Sequence, residues 1–292
     1  MTKELPLVSI VTVNYNQTSL SLKFLDSINK ISYPNTEIFV VDNGSERPIV
    51  LDKNYENVHL IYSKANLGFA GGNNLALKQC KGDYILLINN DTEVDSDFLE
   101  PLVNLLAENE NIGMVSPKII YYGSDKILQY AGYTEISPFT GRNRTIGQFE
   151  KDNGQHDEIK KTDYAHGAAM LIKREILNTV GYMPEEFFLY YEELDWCEQI
   201  KRAGYEIFYH PGSVVYHKES MSVGQESPLK IHYIFRNRFL FMKRNFSGFK
   251  LFAFITYYML IAIPKNIVKY LLINDIKAVK AIAKGLIWNF KN

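Results

Sequence analysis

The first third of the chain alternates short apolar runs with segments of helical spacing. Residues 7–15 (LVSIVTVNY) are β-branched and apolar, as in a buried strand, and residues 19–30 carry leucine and isoleucine at helical intervals. Further apolar runs of strand type follow at residues 36–45, 58–63 and 82–94. Because strands and helices alternate, the pattern predicts an α/β fold with a mostly parallel, Rossmann-like sheet and flanking helices.

The middle of the chain has a weaker pattern. Residues 113–160 are rich in turn residues without a sustained period, which predicts loops and short strands. Residues 194–202 predict a short helix that Gly204 ends. Residues 204–217 (GYEIFYHPGSVVYH) predict two short strands joined by a Pro-Gly turn.

The carboxyl-terminal segment differs in charge from the rest. Residues 228–292 hold twelve Lys or Arg and one acid, whereas residues 1–227 hold 20 basic and 32 acidic residues. Within the segment, residues 251–263 form an uncharged run of thirteen, shorter than the roughly twenty residues of a membrane span. Basic residues on both sides favour helices lying on an anionic membrane surface, without excluding a core helix or a solvated basic face.

These patterns predict a catalytic domain over residues 1–227 and a helical tail over residues 228–292. The domain divides into a nucleotide half, about residues 1–112, and an acceptor half, about 113–227. The chain has 292 residues, 46% of them hydrophobic, which suits a globular enzyme. Its two cysteines form no spacing motif and its start reads as a strand rather than a leader, so we expect a cytoplasmic protein. The charge pattern favours a lipid partner over nucleic acid.

Polar side chains end several predicted strands, at the edge where α/β sheets bind ligands. They are Asn14, Asp42 and Asp91. The Asp42 carboxylate can accept a hydrogen bond from a nucleobase, although Asp-Asn-Gly-Ser is also an ordinary turn sequence. We therefore expect a nucleotide along this edge, with a turn as the alternative role of Asp42.

A glycine-rich segment, NLGFAGGNN, follows the third predicted strand. Gly68 and its neighbours let the backbone approach a ligand, and Asn66 and Asn74 can donate amide hydrogens to it. The segment lacks the Gly-Lys-Ser or Gly-Lys-Thr of a phosphate-binding loop, and the first strand is not followed by GxGxxG. The P-loop and dinucleotide-binding classes therefore lose their main support.

Oxygen ligands for a hard divalent cation follow the strand of residues 84–88. Asn89, Asn90 and Asp91 stand there, where they can also cap a turn. One carboxylate holds Mg²⁺ or Mn²⁺ weakly, so a second ligand is needed, and His217 at the end of SVVYH is the candidate. A lone histidine is more often structural, and that alternative stays open.

An acidic cluster beside aromatic residues is the main candidate for catalysis. It comprises Glu192, Glu193 and Asp195, next to Tyr190, Tyr191 and Trp196. Acids at a helix start are favoured by the helix dipole, which accounts for one of the three. Aromatic rings and carboxylates together are typical of a saccharide site, with a carboxylate as general base.

The chain resembles the large family of inverting GT-A glycosyltransferases (family 2 type) that includes bacterial rhamnosyl and galactosyl transferases. The resemblance spans about residues 7–245. It rests on the order and spacing of VSIVTVNYN, VVDNGS, NLGFAGGNN, LLINNDTEV, HGAAMLIKR, FFLYYEELDWCEQIKRAGY and HYIFRNRFLFMKR.

The resemblance implies roles for the donor-side residues. Asp42 would read the nucleobase, and Asn66 and Asn74 would lie along the nucleotide. Asn89 and Asp91 would occupy the outer positions of the family's DxD metal motif, here with an uncharged first position, and His217 would be a further ligand.

On the acceptor side, the resemblance makes Glu193 the general base. Glu192 and Asp195 would orient the site or bind acceptor hydroxyls, and His166 and Gly167 would line the acceptor side. The aromatic residues Tyr191 and Trp196 would contact the acceptor saccharide.

The function expected from these residues is inverting transfer of rhamnose or a hexose from a dTDP- or UDP-sugar. The acceptor would be a saccharide, expected to be lipid-linked in surface polysaccharide synthesis and met at the inner face of the cell membrane. A sugar-nucleotide pyrophosphorylase is the enzymatic alternative, but the first strand lacks the basic glycine-rich loop of that class. A non-catalytic carbohydrate-binding scaffold is the other, and the intact acidic cluster argues against it.

Overall fold

The computed structural model describes residues 5–51, 53, 55, 57–218 and 227–291. Its strands are β1 Val8–Asn14, β2 Thr36–Asp42, β3 Val58–Tyr62, β4 Tyr84–Ile88, β5 Thr92–Val94, β6 Ile112–Tyr121, β7 Leu128–Tyr130, β8 Lys160–Lys161, β9 Ala169–Lys173 and β10 Glu206–His217. Its α-helices are α1 Thr18–Ile28, α2 Gly68–Leu77, α3 Leu99–Glu108, α4 Glu175–Thr179, α5 Glu192–Arg202, α6 Pro228–Asn245, α7 Gly248–Tyr257, α8 Ile263–Leu272 and α9 Ile276–Lys291. A 3₁₀ turn, Glu185–Phe187, precedes α5, and a π-helical turn, Tyr258–Ala262, joins α7 to α8.

One sheet runs through the molecule in the order β3-β2-β1-β4-β9-β6-β10-β5. Strands β3, β2, β1 and β4 are parallel, as the alternating pattern predicts. Beyond β4 the sheet is mixed, because β9 runs antiparallel to both β4 and β6 while β10 runs parallel to β6. The α/β class, the flanking helices and the carboxyl-terminal helical region agree with the expectation.

Strand β6 was not expected from the sequence. The prediction of loops and short strands from residue 113 is wrong for residues 112–121, nine of which are buried in one long strand. Ser116 and Lys118 interrupt the apolar pattern, but both side chains are buried and paired. Ser116 donates to the Ala169 carbonyl at 2.7 Å, and Lys118 pairs with Asp152 at 2.8 Å.

Strand β10 also differs from its prediction. Residues 206–217 form one continuous strand, and the expected Pro-Gly turn is a bulge in it, marked by a register shift between His210 and Val214. The strand pairs with β6 on both sides of the bulge, so Pro211 and Gly212 are absorbed without ending the sheet.

The tail helices share a hydrophobic core with the catalytic domain. Phe239, Phe254 and Tyr258 belong to the same buried cluster as Met170 and Ile172 of β9. The predicted boundary at residue 228 coincides with the start of α6, where the Ser227 hydroxyl accepts a hydrogen bond from the Lys230 N–H at 3.2 Å. The helix begins at the boundary, but the core continues across it.

Helices α7 and α8 run on through the π-helical turn as one helix. It spans Gly248–Leu272, 25 residues, with a mean hydropathy of 1.6 in its most apolar stretch. By length and composition this helix could cross a membrane, and it extends beyond the thirteen-residue run seen in the sequence. Phe249, Phe252, Leu260 and Leu272 each expose two thirds or more of their surface.

Helix α2 begins at a point of close backbone contact. Gly68 has φ +75°, and a Cβ atom there would overlap the carbonyl oxygen of Phe188. The next amide, Phe69 N–H, donates to that oxygen at 2.7 Å. Glycine is therefore required by both conformation and space.

We expect Gly68→Ala to lower the free energy of unfolding by about 2 kcal/mol or more, because left-handed strain and a steric overlap add. Chemical denaturation would measure it. Gly204→Ala is the matched control, since Gly204 has φ +94° and its added Cβ would meet nothing within 4 Å in the described part of the chain. Equal losses in the two variants would contradict a role for the Phe188 contact.

Candidate active site

A chain of hydrogen bonds joins the ends of β4, β1 and β2. Asn90 Nδ2 donates to the Ser21 hydroxyl at 2.8 Å, which donates to Asn14 Oδ1 at 2.9 Å. Asn14 Nδ2 in turn donates to Asp42 Oδ2 at 3.0 Å. Three residues predicted to bind the nucleotide therefore lie together, linked by Ser21, which sequence reasoning missed. A polar residue on the inner face of α1 was the available signal.

The Asp42 carboxylate accepts hydrogen bonds from other parts of the protein. Its Oδ1 accepts from the Ser45 N–H at 2.9 Å and its Oδ2 from the Ile49 N–H at 2.8 Å, besides Asn14. Only 1% of the residue is exposed. The turn-forming role is therefore observed, and recognition of a nucleobase stays a prediction.

The glycine-rich segment faces other parts of the protein. Asn66 Oδ1 accepts from the Gly68 N–H at 2.9 Å and from Asn43 at 3.2 Å, which shapes the turn before α2. Asn74 donates to the Met183 carbonyl at 2.8 Å and to Glu185 at 2.9 Å. The contacts of Gly68 and Asn74 are thus with residues 183–188, because α2 packs on that segment, and their place along the nucleotide stays a prediction.

Asp91 and His217 meet because β5 runs antiparallel to β10. Thr92 is the register partner of His217, which places Asp91 beside the histidine ring. His217 Nε2 lies 3.2 Å from Asp91 Oδ1, and both side chains are 7% exposed. The ring is oriented from behind by Gln129, whose Oε1 is 2.8 Å from His217 Nδ1. Sequence reasoning missed Gln129, which lies in the weakly patterned region.

The donor set at this pair fits a divalent cation. Asp91 Oδ1 is buried and receives no well-directed hydrogen bond from the described residues. In the tautomer whose Nδ1–H donates to Gln129 Oε1, the Nε2 lone pair faces Asp91 Oδ1, so both atoms could bind a cation placed between them. Within the described ranges no three His, Cys, Asp or Glu gather as a metal site, so phosphate oxygens would complete the shell.

Asn89 supports this turn from its backbone. Its N–H donates to the Ala168 carbonyl at 2.9 Å, and its own carbonyl accepts from the Thr92 hydroxyl at 2.7 Å. These bonds place Asp91 at the edge of the sheet.

The acceptor-side residues lie next to this pair. The His166 ring centroid is 6.2 Å from that of His217, and His166 Nδ1 accepts from the Ala168 N–H at 3.0 Å. Burial, with the nearby His217, lowers the pKa of His166 to about 3, so its ring is neutral. Gly167 follows, and a Cβ there would come within 3.7 Å of the Glu193 carboxyl carbon. A succession of neighbouring residues therefore leads from Asp91 through His217, His166 and Gly167 to Glu193.

Glu193 has the electrostatics of a general base. Burial raises its pKa to about 7, against hydrogen bonds from backbone N–H groups at the start of α5. Its neighbour Glu192 is 2% exposed, and burial, then repulsion by Glu193, raises the Glu192 pKa well above its usual value. The pKa values of two adjacent acids, one buried and one partly buried, are therefore both raised, as is common at acid-base sites.

Asp195 has a structural environment. It is fully buried, and its carboxylate accepts from Arg244 at 3.1 Å through two guanidinium nitrogens and from Asn245 at 2.7 Å. Gln199 adds a fourth bond at 2.8 Å. Asp195 therefore anchors α5 to the end of α6, which fits the predicted orienting role and leaves no oxygen facing an acceptor.

The two aromatic residues predicted to contact the acceptor have different positions. Trp196 is fully buried and donates to the Gly181 carbonyl at 3.1 Å, so the prediction for it is corrected: its ring has no exposed face for a sugar. Tyr191 is partly buried, with φ +77° and its ring 5.7 Å from that of Phe241. Its contact with an acceptor stays a prediction.

The comparisons with known proteins identify the family. Residues 9–181 match the model for glycosyl transferase family 2. The chain belongs to this family. The match ends before α5, so the family model covers the donor side and β9, and the roles of α5 and the tail rest on the structure.

Two curated relatives cover most of the chain. The low-salt glycan biosynthesis hexosyltransferase Agl10 of Haloferax volcanii is 26% identical over 82% of this chain and 76% of its own length. The N-acetylglucosaminyl-diphospho-decaprenol L-rhamnosyltransferase of Mycobacterium tuberculosis is 23% identical over 85% of this chain and 87% of its own. Family and relatives support a glycosyltransferase of glycan synthesis.

A solved structure supports the fold. The mannosyltransferase PcManGT of Pyrobaculum calidifontis, determined with GDP-mannose and Mn²⁺, covers 98% of this chain and 75% of its own with a TM-score of 0.59 and 18% identity. The GT-A fold class expected from the sequence is confirmed.

We expect Asp91→Asn and His217→Ala each to weaken Mn²⁺-dependent binding of UDP or dTDP by roughly tenfold or more, because each removes a cation ligand. Calorimetry with and without Mn²⁺ measures this. Glu93→Gln is the matched control, since Glu93 lies two residues from Asp91 and pairs with Lys218 at 2.7 Å. Nucleotide binding that is equally strong in the presence of a chelator would contradict the metal assignment.

Proposed function

We propose that this protein is an inverting, metal-dependent glycosyltransferase that moves rhamnose or a hexose from a dTDP- or UDP-sugar to a saccharide acceptor. The observation that carries the proposal is the position of Glu193. Glu193 lies beside Gly167, and His166 connects Gly167 to the Asp91–His217 pair. The pKa of Glu193 is raised to about 7. A base with a pKa near neutrality both exists as carboxylate and retains a useful affinity for a proton.

The residues divide the reaction between them. Glu193 accepts the proton of an acceptor hydroxyl as its oxygen forms a bond to the anomeric carbon, while the bond from that carbon to the diphosphate oxygen breaks. A single displacement inverts the configuration. Asp91 and His217 would hold a divalent ion, Mg²⁺ or Mn²⁺, which when bound supplies positive charge beside the departing diphosphate. His166, neutral and next to His217, adds no charge there.

Relatives guide the choice of substrates. One relative is named for transfer of L-rhamnose to a diphospho-decaprenol-linked sugar and another for transfer of a hexose in glycan synthesis. We therefore extend to this chain a lipid-linked saccharide acceptor used in surface polysaccharide synthesis. A calorimetric screen of dTDP- and UDP-sugars with Mn²⁺ would identify the donor, and donor hydrolysis without acceptor would separate an enzyme from a binding scaffold.

We expect Glu193→Gln to reduce the rate of transfer about 10²- to 10⁴-fold, because the amide cannot act as a base. The affinity for the nucleotide sugar should stay within a few-fold of the wild type, because glutamine has nearly the same size and shape as glutamate. Wild-type kcat should rise as pH increases through about 7, since Glu193 is protonated and inactive below its pKa. Glu198→Gln is the control, because Glu198 lies on the same helix but bonds Tyr164 at 2.6 Å. A flat pH profile, or a dead Glu198→Gln, would contradict the assignment of the base.

We also propose that the tail holds the enzyme at the inner face of the cell membrane, where a lipid-linked acceptor diffuses. Phe249 and Phe252, near the start of α7, are strongly exposed, at 75% and 66%, whereas Leu251 and Ile255 of the same helix are partly buried. Exposed lysines, among them Lys265 and Lys269, accompany them on the same long helix. Each can add about 1 kcal/mol of attraction to anionic lipid.

We expect the double variant Phe249→Ser, Phe252→Ser to lose most of its cosedimentation with phosphatidylglycerol vesicles and to keep donor binding, because both side chains lie outside the core. Salt should release the wild type, as it screens the lysines. Phe149→Ser is the control, since Phe149 is 71% exposed on the catalytic domain.

Truncation would be uninformative, because Phe254 and Tyr258 are core residues. Protein that resists an alkaline wash would instead indicate that Gly248–Leu272 spans the membrane.

A further inference from the structure

The segment before α5 has an unusual backbone. Phe188, Tyr190 and Tyr191 have φ of +63°, +68° and +77°, in the left-handed region that bulky residues seldom adopt. Such a conformation persists only where its surroundings impose it. Residues 187–191, here the catalytic loop, lead directly to Glu193 and therefore set where its carboxylate lies.

Two neighbouring side chains of α6 hold the catalytic loop. Asn237 is fully buried, and its Nδ2 lies within hydrogen-bond distance of three carbonyls, Phe187 at 2.8 Å, Leu189 at 2.7 Å and Tyr190 at 2.8 Å. Arg236 donates to the carbonyls of Glu186 and Phe187, each at 2.6 Å. Arg236 Nε also donates to Asn237 Oδ1 at 2.6 Å, which turns the amide so that its hydrogens face the loop.

Helix packing holds Arg236 in turn. Its guanidinium lies over the rings of Tyr233, at 4.7 Å, and Trp288 of α9, at 4.3 Å. Its own carbonyl accepts from Asn289 at 2.9 Å. The catalytic loop is therefore braced from the tail, while on its other side the Phe188 carbonyl accepts from Phe69 N–H of α2 at 2.7 Å.

Apolar packing cannot replace this arrangement. Four carbonyls that turn toward α6 need donors, because a buried carbonyl without one loses its hydrogen bond to water. A leucine at position 237 would fill the space and leave the Leu189 and Tyr190 carbonyls without their donor, because Arg236 reaches only Glu186 and Phe187. The identity of Asn237 and Arg236 thus follows from the backbone of the catalytic loop.

We propose that Asn237, aligned by Arg236, is a positioning residue that imposes the left-handed conformation of the catalytic loop and thereby aims Glu193 at the acceptor hydroxyl. This rests on the proposed function only for the role of Glu193. The clamp, by which we mean the hydrogen bonds from Asn237 and Arg236 to the carbonyls of residues 186–190, is a property of the fold. Through this clamp the tail contributes to catalytic geometry in addition to any membrane contact.

Hydrogen exchange followed by mass spectrometry tests the clamp without substrate. In Asn237→Ala, amides of residues 187–194 should exchange at least about tenfold faster, while peptides from β1 and β4 are unchanged, because the loop opens locally. Asn266→Ala is the matched control: this tail asparagine donates to the Ala262 carbonyl of its own helix, at 2.7 Å. Unchanged exchange in residues 187–194 of Asn237→Ala would overturn the proposal.

Kinetics then separate positioning from general support. With the donor found by the screen, Asn237→Ala should lower kcat about 100-fold, the loss expected from a misplacement of about 1 Å, with donor Kd within about threefold. Arg236→Lys should show a smaller loss of the same kind, and it carries the test if Asn237→Ala does not fold. Loss of donor affinity in proportion to kcat would overturn the positioning role. If the screen finds no donor, the proposed function fails while the exchange result still decides the clamp.

Discussion

The contact between Phe188 and the start of α2 is the constraint on which the site depends. The Phe188 carbonyl accepts from Phe69 N–H at 2.7 Å, and the approach is possible because residue 68 is glycine. This one contact joins the glycine-rich segment to the catalytic loop, and α6 closes the loop from behind. Because the backbone of residues 187–191 is strained, it needs both supports, and the position of Glu193 depends on them.

The acids of the site differ in role because they differ in surroundings. Asp42 accepts hydrogen bonds from its own turn and from Asn14, and Asp195 is held by Arg244 and Asn245. Asp91 has a buried oxygen beside His217 with no well-directed donor among the described residues. Glu193 is partly buried, and desolvation of its carboxylate raises its pKa to about 7. In the proposed mechanism the same chemical group thus serves a turn, a helix anchor, a cation ligand and a base.

The tail packs against the core on one surface and exposes apolar side chains on the other. Its inner surface, including Phe239, Phe254 and Tyr258, completes the core of the catalytic domain. Its outer surface exposes large apolar side chains and lysines. Since α6 also holds the catalytic loop, the part of the chain suited to lipid is structurally continuous with the part proposed to aim the base.

The sequence by itself determined the α/β alternation, the parallel strands of the first half, and the segments that supply Asp91, His217 and Glu193. These are local properties: side-chain period, turn residues and clustered acids. It did not reveal β6 or the unbroken β10, because Ser116, Lys118 and Pro211 interrupt the local pattern and are accommodated by distant partners. Only the tertiary structure decided that Trp196 is core, that Asp195 is an anchor and that Asn237 holds the catalytic loop, because each role depends on which residues, some 15 to 50 positions away, reach the same side chain.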